Sequence, residues 1–101
     1  MSLLHTVNKS PFDKNSLERC LAMAKDGSAV LLIEDGVYGA INGASSSAMV
    51  EDAMKKVKVY ALSADVDARG VKDRVIDGIE LVDYAGFVNL AADHSHVQAW
   101  L

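Results

Sequence analysis

Apolar and polar positions along the chain form short extended runs separated by amphipathic stretches, and the densest run sets the frame. Residues 29–33 (AVLLI) are five consecutive apolar side chains without alternation. Such a segment needs cover on both faces, so it predicts a central strand of a parallel sheet. Glu34, Asp35 and Gly36 stop the run abruptly. They place two carboxylates and a flexible turn at the strand's C-terminal end, the edge where open α/β sheets meet ligands and partners.

The other elements follow from the same pattern. Residues 2–7 (SLLHTV) predict a strand, followed by a loop that carries Pro11, the one proline of the chain. Asn15 or Ser16 then starts a helix, with Glu18 at capping-box spacing from Asn15. Leu17, Cys20, Leu21 and Ala24 share one face of it, and Lys25, Asp26 and Gly27 end it. Beyond the central strand, residues 36–41 predict a short helical turn broken at Gly43. Ser45, Ser46 and Ser47 signal a second helix start, with Met49, Val50, Ala53 and Met54 as its apolar stripe and its end near Lys56. Residues 57–62 (VKVYAL) carry β-branched and aromatic side chains and predict the third strand. Residues 64–68 read as a helical turn stopped at Arg69 and Gly70, with Val75 and Ile76 extended. Residues 79–82 predict the fourth strand, and Asp83 caps a last helix with Tyr84, Phe87, Val88 and Ala91 in one stripe. Residues 97–101 alternate as a half-covered edge strand does.

Alternating strands and helices imply right-handed βαβ crossovers. The expected fold class is α/β: a single three-layer α/β/α domain over residues 1–101, flavodoxin-like in appearance, with a mainly parallel sheet of about five strands. A chain of 101 residues holds one core and not two. Half its residues are hydrophobic and its mean hydropathy is +0.13, so surplus apolar surface is expected to meet partner subunits.

Charge narrows the function classes. A net charge of -4 with scattered basic residues disfavours direct nucleic-acid binding, which needs a concentrated basic face. The one lysine cluster, Lys55, Lys56 and Lys58, falls where a helix should end and complements its dipole. No apolar run approaches the roughly 20 residues of a membrane helix, and the N-terminus lacks the basic start and cleavage site of a secretory signal. A lone cysteine, Cys20, makes no internal disulfide. Together these features predict a cytoplasmic protein.

Candidate chemistry is sparse. The GVYG of residues 36–39 is too short for a dinucleotide or phosphate-loop fingerprint. A receiver-type phosphoacceptor is excluded because the third strand ends Leu62, Ser63, Ala64 rather than on an aspartate. His5, His94 and His96, even joined by Cys20, stand at no recognisable metal-ligand interval. Solvated histidines are expected at 94 and 96, and a hydrogen-bonded strand residue at 5. No cofactor and no metal are therefore expected. Cys20 is the one residue able to do covalent sulfur chemistry, but its apolar neighbours favour a small buried thiol, and Arg19 points off that face. Tyr84 and Trp100 are expected in the core or at a subunit interface.

Six stretches taken together resemble the DsrH/TusB family: LLHTVNKSPF (residues 3–12), LLIEDGVYGA (31–40), KVYAL (58–62), DVDARG (65–70), VDYAGFV (82–88) and QAW (98–100). The resemblance runs end to end and in order. It implies a small α/β/α subunit of a heterohexamer, with DsrE/TusD-like and DsrF/TusC-like sister subunits. Such a complex passes persulfide sulfur to or from a small DsrC/TusE-like acceptor. It also implies that the main active cysteine lies on the DsrE/TusD-like partner. In this chain Cys20 is then a secondary persulfide candidate, set against its packing role.

The two branches of the family differ in purpose, and the DsrH branch serves sulfur oxidation while TusB serves 2-thiolation of the tRNA wobble uridine. The HTVNKSPF run, the EDGVY turn and a cysteine in the first helix favour the DsrH role as the leading expectation, with the TusB role as its alternative. An alternative of another class is a stand-alone small-molecule binding module that uses residues 34–38 as its pocket edge.

Overall fold

The computed structural model describes residues 3–101; Ser2, expected to begin the first strand, lies outside the described residues. Strands β1 (Leu3–Val7), β2 (Ala29–Leu32), β3 (Lys58–Leu62), β4 (Glu80–Val82) and β5 (His96–Trp100) form one sheet in the order β4-β3-β2-β1-β5. Every pairing is parallel. The run read as central is the middle strand, and all four residues of β2 are buried.

Four α-helices connect the strands: α1 (Ser16–Met23), α2 (Ser47–Ala53), α3 (Ser63–Ala68) and α4 (Tyr84–Asp93), with 3₁₀ helices at Glu34–Ala40 and Lys72–Arg74. Strands β1 to β4 step in one direction across the sheet, and β5 returns to the far side of β1. Right-handed crossovers therefore put α4 on the face opposite α1 and α2. The core divides accordingly. On one side Leu17, Cys20, Leu21 and Ala24 of the first helix meet Val7, Val30, Leu32, Val59 and Ala61 of the sheet, with Val37, Val50 and Val66 closing the layer. On the other, Leu4, Ala29 and Leu31 meet Phe87, Leu90 and Ala91. This is the expected α/β/α sandwich, with two unequal outer layers.

Several local expectations are corrected. The Asn15–Glu18 spacing makes no capping box: Asn15 forms no side-chain cap bond, and Ser16 instead donates to the carbonyl of Leu101 at 3.2 Å. Helix α2 starts at Ser47 and ends at Ala53. Ser47 caps nothing, because its hydroxyl donates to the carbonyl of Ile41 at 2.6 Å and accepts from the amide of Ala44. The lysines do not sit on a helix terminus. Lys55 lies in the following turn, 3.4 Å from Asp52, and Lys58 is in β3, 3.8 Å from Glu80. Asp83 does cap α4, accepting from the Gly86 amide at 2.7 Å. Only part of that helix's predicted stripe faces the sheet. Phe87 and Ala91 pack with Leu90, whereas Tyr84 and Val88 are exposed.

Candidate functional site

The C-terminal edge of the sheet gathers the conspicuous motifs. Strand β2 leaves the core at Ile33 and turns through Glu34, whose φ of +50° is left-handed, unusual for a residue with a side chain. The turn is tied down from β3: the amide of Glu34 donates to Oδ2 of Asp65 at 2.7 Å. Asp65 lies in α3, which follows β3 directly. One helical turn later, Arg69 reaches back to Asp35, donating from Nε at 3.0 Å and from a terminal nitrogen at 2.8 Å. Its other terminal nitrogen donates to the carbonyl of Asp65 at 3.2 Å. The guanidinium lies 6.0 Å from the ring centre of Tyr38. Hydrogen bonding to Asp35, outweighing partial burial, pushes the Arg69 pKa above its ordinary value.

Chemically this cluster is a brace. Both carboxylates and the guanidinium are engaged with one another, which leaves Arg69 little to offer an anion. The brace fixes the EDGVY turn and leaves the Glu34 side chain exposed at the sheet edge. The sequence pattern places Glu34 and Asp35 at this edge and marks Arg69 only as a helix stop. The signal was the i, i+4 spacing of Asp65 and Arg69, which puts both on the same side of one helical turn.

Cys20 is elsewhere. It sits in the middle of α1, with 0% of its surface exposed, inside the larger core cluster. Burial pushes its thiol up to about 12, so the nucleophilic thiolate is scarce at neutral pH. The histidines are separated by role. His5 is buried in β1 and accepts a hydrogen bond from Trp100 at 3.1 Å, His94 bonds the carbonyl of Leu90 at 2.7 Å, and His96 is exposed in β5. No group of three or more His, Cys, Asp or Glu residues is placed to hold a metal among the described residues.

Two hollows lie between α1 and α2, lined by none of the residues of the brace. One of about 420 Å³ is formed by Pro11, Phe12, Asn15, Ser45, Ser46 and Met49 among others. The second, about 560 Å³, runs on between Leu21, Ala22, Met49 and Ala53. Neither is lined by Glu34, Asp35 or Tyr38. No helix among the described residues is long and apolar enough to cross a membrane.

Comparison with known proteins agrees with this fold. Residues 9–97 match the family described as DsrH like protein. Protein TusB of Enterobacter sp. (strain 638) is 39% identical over 98 residues, covering 97% of this chain and all of the relative. Protein TusB of Photorhabdus laumondii is 38% identical over 101 residues with the same coverage. Among solved structures, the ychN protein of E. coli superposes with a TM-score of 0.88 at 19% identity, covering 98% of each chain. A protein of unknown function from Methanobacterium thermoautotrophicum superposes at 0.73 and 14% identity, covering 96% of this chain and 97% of that one. At those identities the two structures speak for the fold alone. The family match and the full-length relatives show that this chain belongs to the DsrH/TusB family.

Proposed function

We propose that the chain is a TusB-like subunit of a cytoplasmic sulfur-relay complex that serves 2-thiolation of the tRNA wobble uridine. One observation carries this: proteins named TusB are 38–39% identical to it from end to end. The sulfur-oxidation role, which led the expectations, gives way to its alternative because the relatives that match over their whole length bear the TusB name. On this reading the partners are TusD-like and TusC-like sister chains in a heterohexamer, with a TusE-like acceptor.

Within such a relay a thiolate attacks the outer sulfur of a donor persulfide, a new S–S bond forms, and the donor leaves as its thiolate. The attacking sulfur must be accessible and ionised. Cys20 is neither in this fold, and a thiol with a pKa near 12 is ionised in only about one molecule in 10⁵ at pH 7. We therefore assign the carrier cysteine to a sister chain and Cys20 to the core. The braced EDGVY turn is the surface this subunit offers at the sheet edge.

Deletion of the gene should abolish thiolated wobble uridine, and unchanged thiolation would overturn the proposal. Loading the three-chain complex with a persulfide donor and weighing each subunit should add sulfur to a sister chain. An added sulfur on this chain that disappears in Cys20→Ser would reassign Cys20 as a relay station.

A further inference from the structure

The indole Nε1–H of Trp100 donates to Nδ1 of His5 at 3.1 Å. A ring nitrogen that accepts carries no proton, so neutral His5 holds its proton on Nε2. That Nε2 is buried and without a partner, in a residue only 2% exposed. His5 is thus a buried base with one nitrogen committed to the C-terminal strand and the other committed to nothing.

The side chains that face it from α1, β2 and β5 offer no anion to balance a second proton. Alternation along β1 puts His5 on the side of Val7, the side covered by α1. The register neighbour on β2 is Val30. On β5 the register neighbour is Gln98, with His96 and Trp100 flanking it on the same side. The buried residues of α1 are Ser16, Leu17, Cys20 and Leu21. Of these only Cys20 titrates, and burial keeps it neutral. Glu18 and Arg19 of α1 are exposed. Protonating Nδ1 would create a buried cation and remove the lone pair that holds Trp100. Strand β5 is an edge strand held by its ladder to β1 and by the Ser16 hydroxyl on the Leu101 carbonyl. Trp100 is its one partly buried residue and so its one side-chain anchor on the sheet.

We infer that β5 is a pH-sensitive latch, in which Trp100 fastens the C-terminal edge strand to His5 of β1 and protonation of His5 releases it. The direction follows from linkage. Burial lowers the His5 pKa below its ordinary 6.5, and an opened strand exposes the ring and restores it. The open state then binds the proton more tightly, so the latch is fully closed above pH 6.5 and loosens as pH falls below it. The full shift is about tenfold in the open-to-closed ratio for each unit by which the two pKa values differ.

Trp100 is the sole tryptophan, so its fluorescence reports the latch directly, and amide hydrogen exchange locates it. For the full chain, moving from about pH 7.5 to about pH 5 should change Trp100 emission. Corrected for intrinsic rates, β5 amides should exchange faster while β2 amides hold. His5→Asn keeps an acceptor for the indole but cannot titrate, and should abolish both responses; His94→Gln with His96→Gln should retain them. Protection of β5 that ignores pH in the unaltered chain, or a pH response that survives His5→Asn, overturns the latch. Should His5→Asn fail to fold, side-chain nitrogen NMR of the unaltered chain decides. A proton on Nε2 that titrates together with the Trp100 indole signal supports the latch, and a proton on Nδ1 at neutral pH refutes it.

Discussion

Gly36 is where a single hydrogen atom decides whether the sheet edge can close. A Cβ added there would fall on the carbonyl oxygen of Val7, the same oxygen that accepts from the Ile33 amide at 3.0 Å. Gly36→Ala must push β1 and β2 apart and should cost about 3 kcal/mol by chemical denaturation. Gly43→Ala is the control. It meets no atom within 4 Å but has φ of +79°, and should cost about 1 kcal/mol. Cys20 gives a second test at this scale. A thiol-specific reagent near pH 8 should leave the native chain unmodified and react with one thiol in denaturant, because the sulfur is enclosed and un-ionised. Cys20→Ser should cost about 1–3 kcal/mol by burying a hydroxyl where a thiol packs. The burial of Cys20 was legible from its spacing to Leu17, Leu21 and Ala24. The closeness of Gly36 to Val7 was not, since it depends on how two segments 29 positions apart are brought together.

Among the elements, the 3₁₀ turn after β2 and the start of α3 act as one unit. Glu34 is held at φ +50° by the carboxylate of Asp65, and a left-handed residue with a side chain costs about 1–2 kcal/mol. Asp65→Ala should therefore destabilise by about 2 kcal/mol. Adding Glu34→Gly should recover about 1 kcal/mol of it, because glycine accepts the conformation without strain. If Asp65→Ala costs nothing, the tie between Asp65 and the turn is not what holds Glu34. The existence of these elements was readable from apolar spacing and from breakers such as Gly43 and Gly70. Their start signals were less so. The serines at 45–47 and the Asn15–Glu18 pair look like helix caps, yet Ser47 closes the loop to Ile41 and Ser16 ties α1 to Leu101. A hydroxyl takes whichever partner the packed fold offers, and a cap is only one of them.

For the molecule as a whole, the two faces of the sheet are protected unequally. The α1/α2 side encloses the larger cluster, while no residue of α4 is fully buried and Tyr84, Val88 and Val97 are 63%, 66% and 50% exposed. Truncations should follow that asymmetry: Leu17→Ala about 3–4 kcal/mol, Phe87→Ala about half as much by urea denaturation. Equal costs would mean that α4 packs as tightly as α1. Amides of α4 should likewise open before those of β2 and β3. The sequence foretold surplus apolar surface from composition but not its place. The stripe Tyr84, Phe87, Val88, Ala91 looks uniform along the helix, and only the sheet beneath α4 selects Phe87, Leu90 and Ala91.

What the sequence determined by itself is the identity of its elements and its family. The 2- and 3.6-residue periods that mark strand and helix are properties of local backbone geometry. The six motif stretches likewise lie within short contiguous segments. Tertiary structure alone decided the strand order β4-β3-β2-β1-β5, the sharing of Arg69 between Asp35 and Asp65, and the His5–Trp100 bond across 95 positions. Each is a contact between segments remote in the chain, where distance is set by how crossovers stack layers, and no local period encodes that distance.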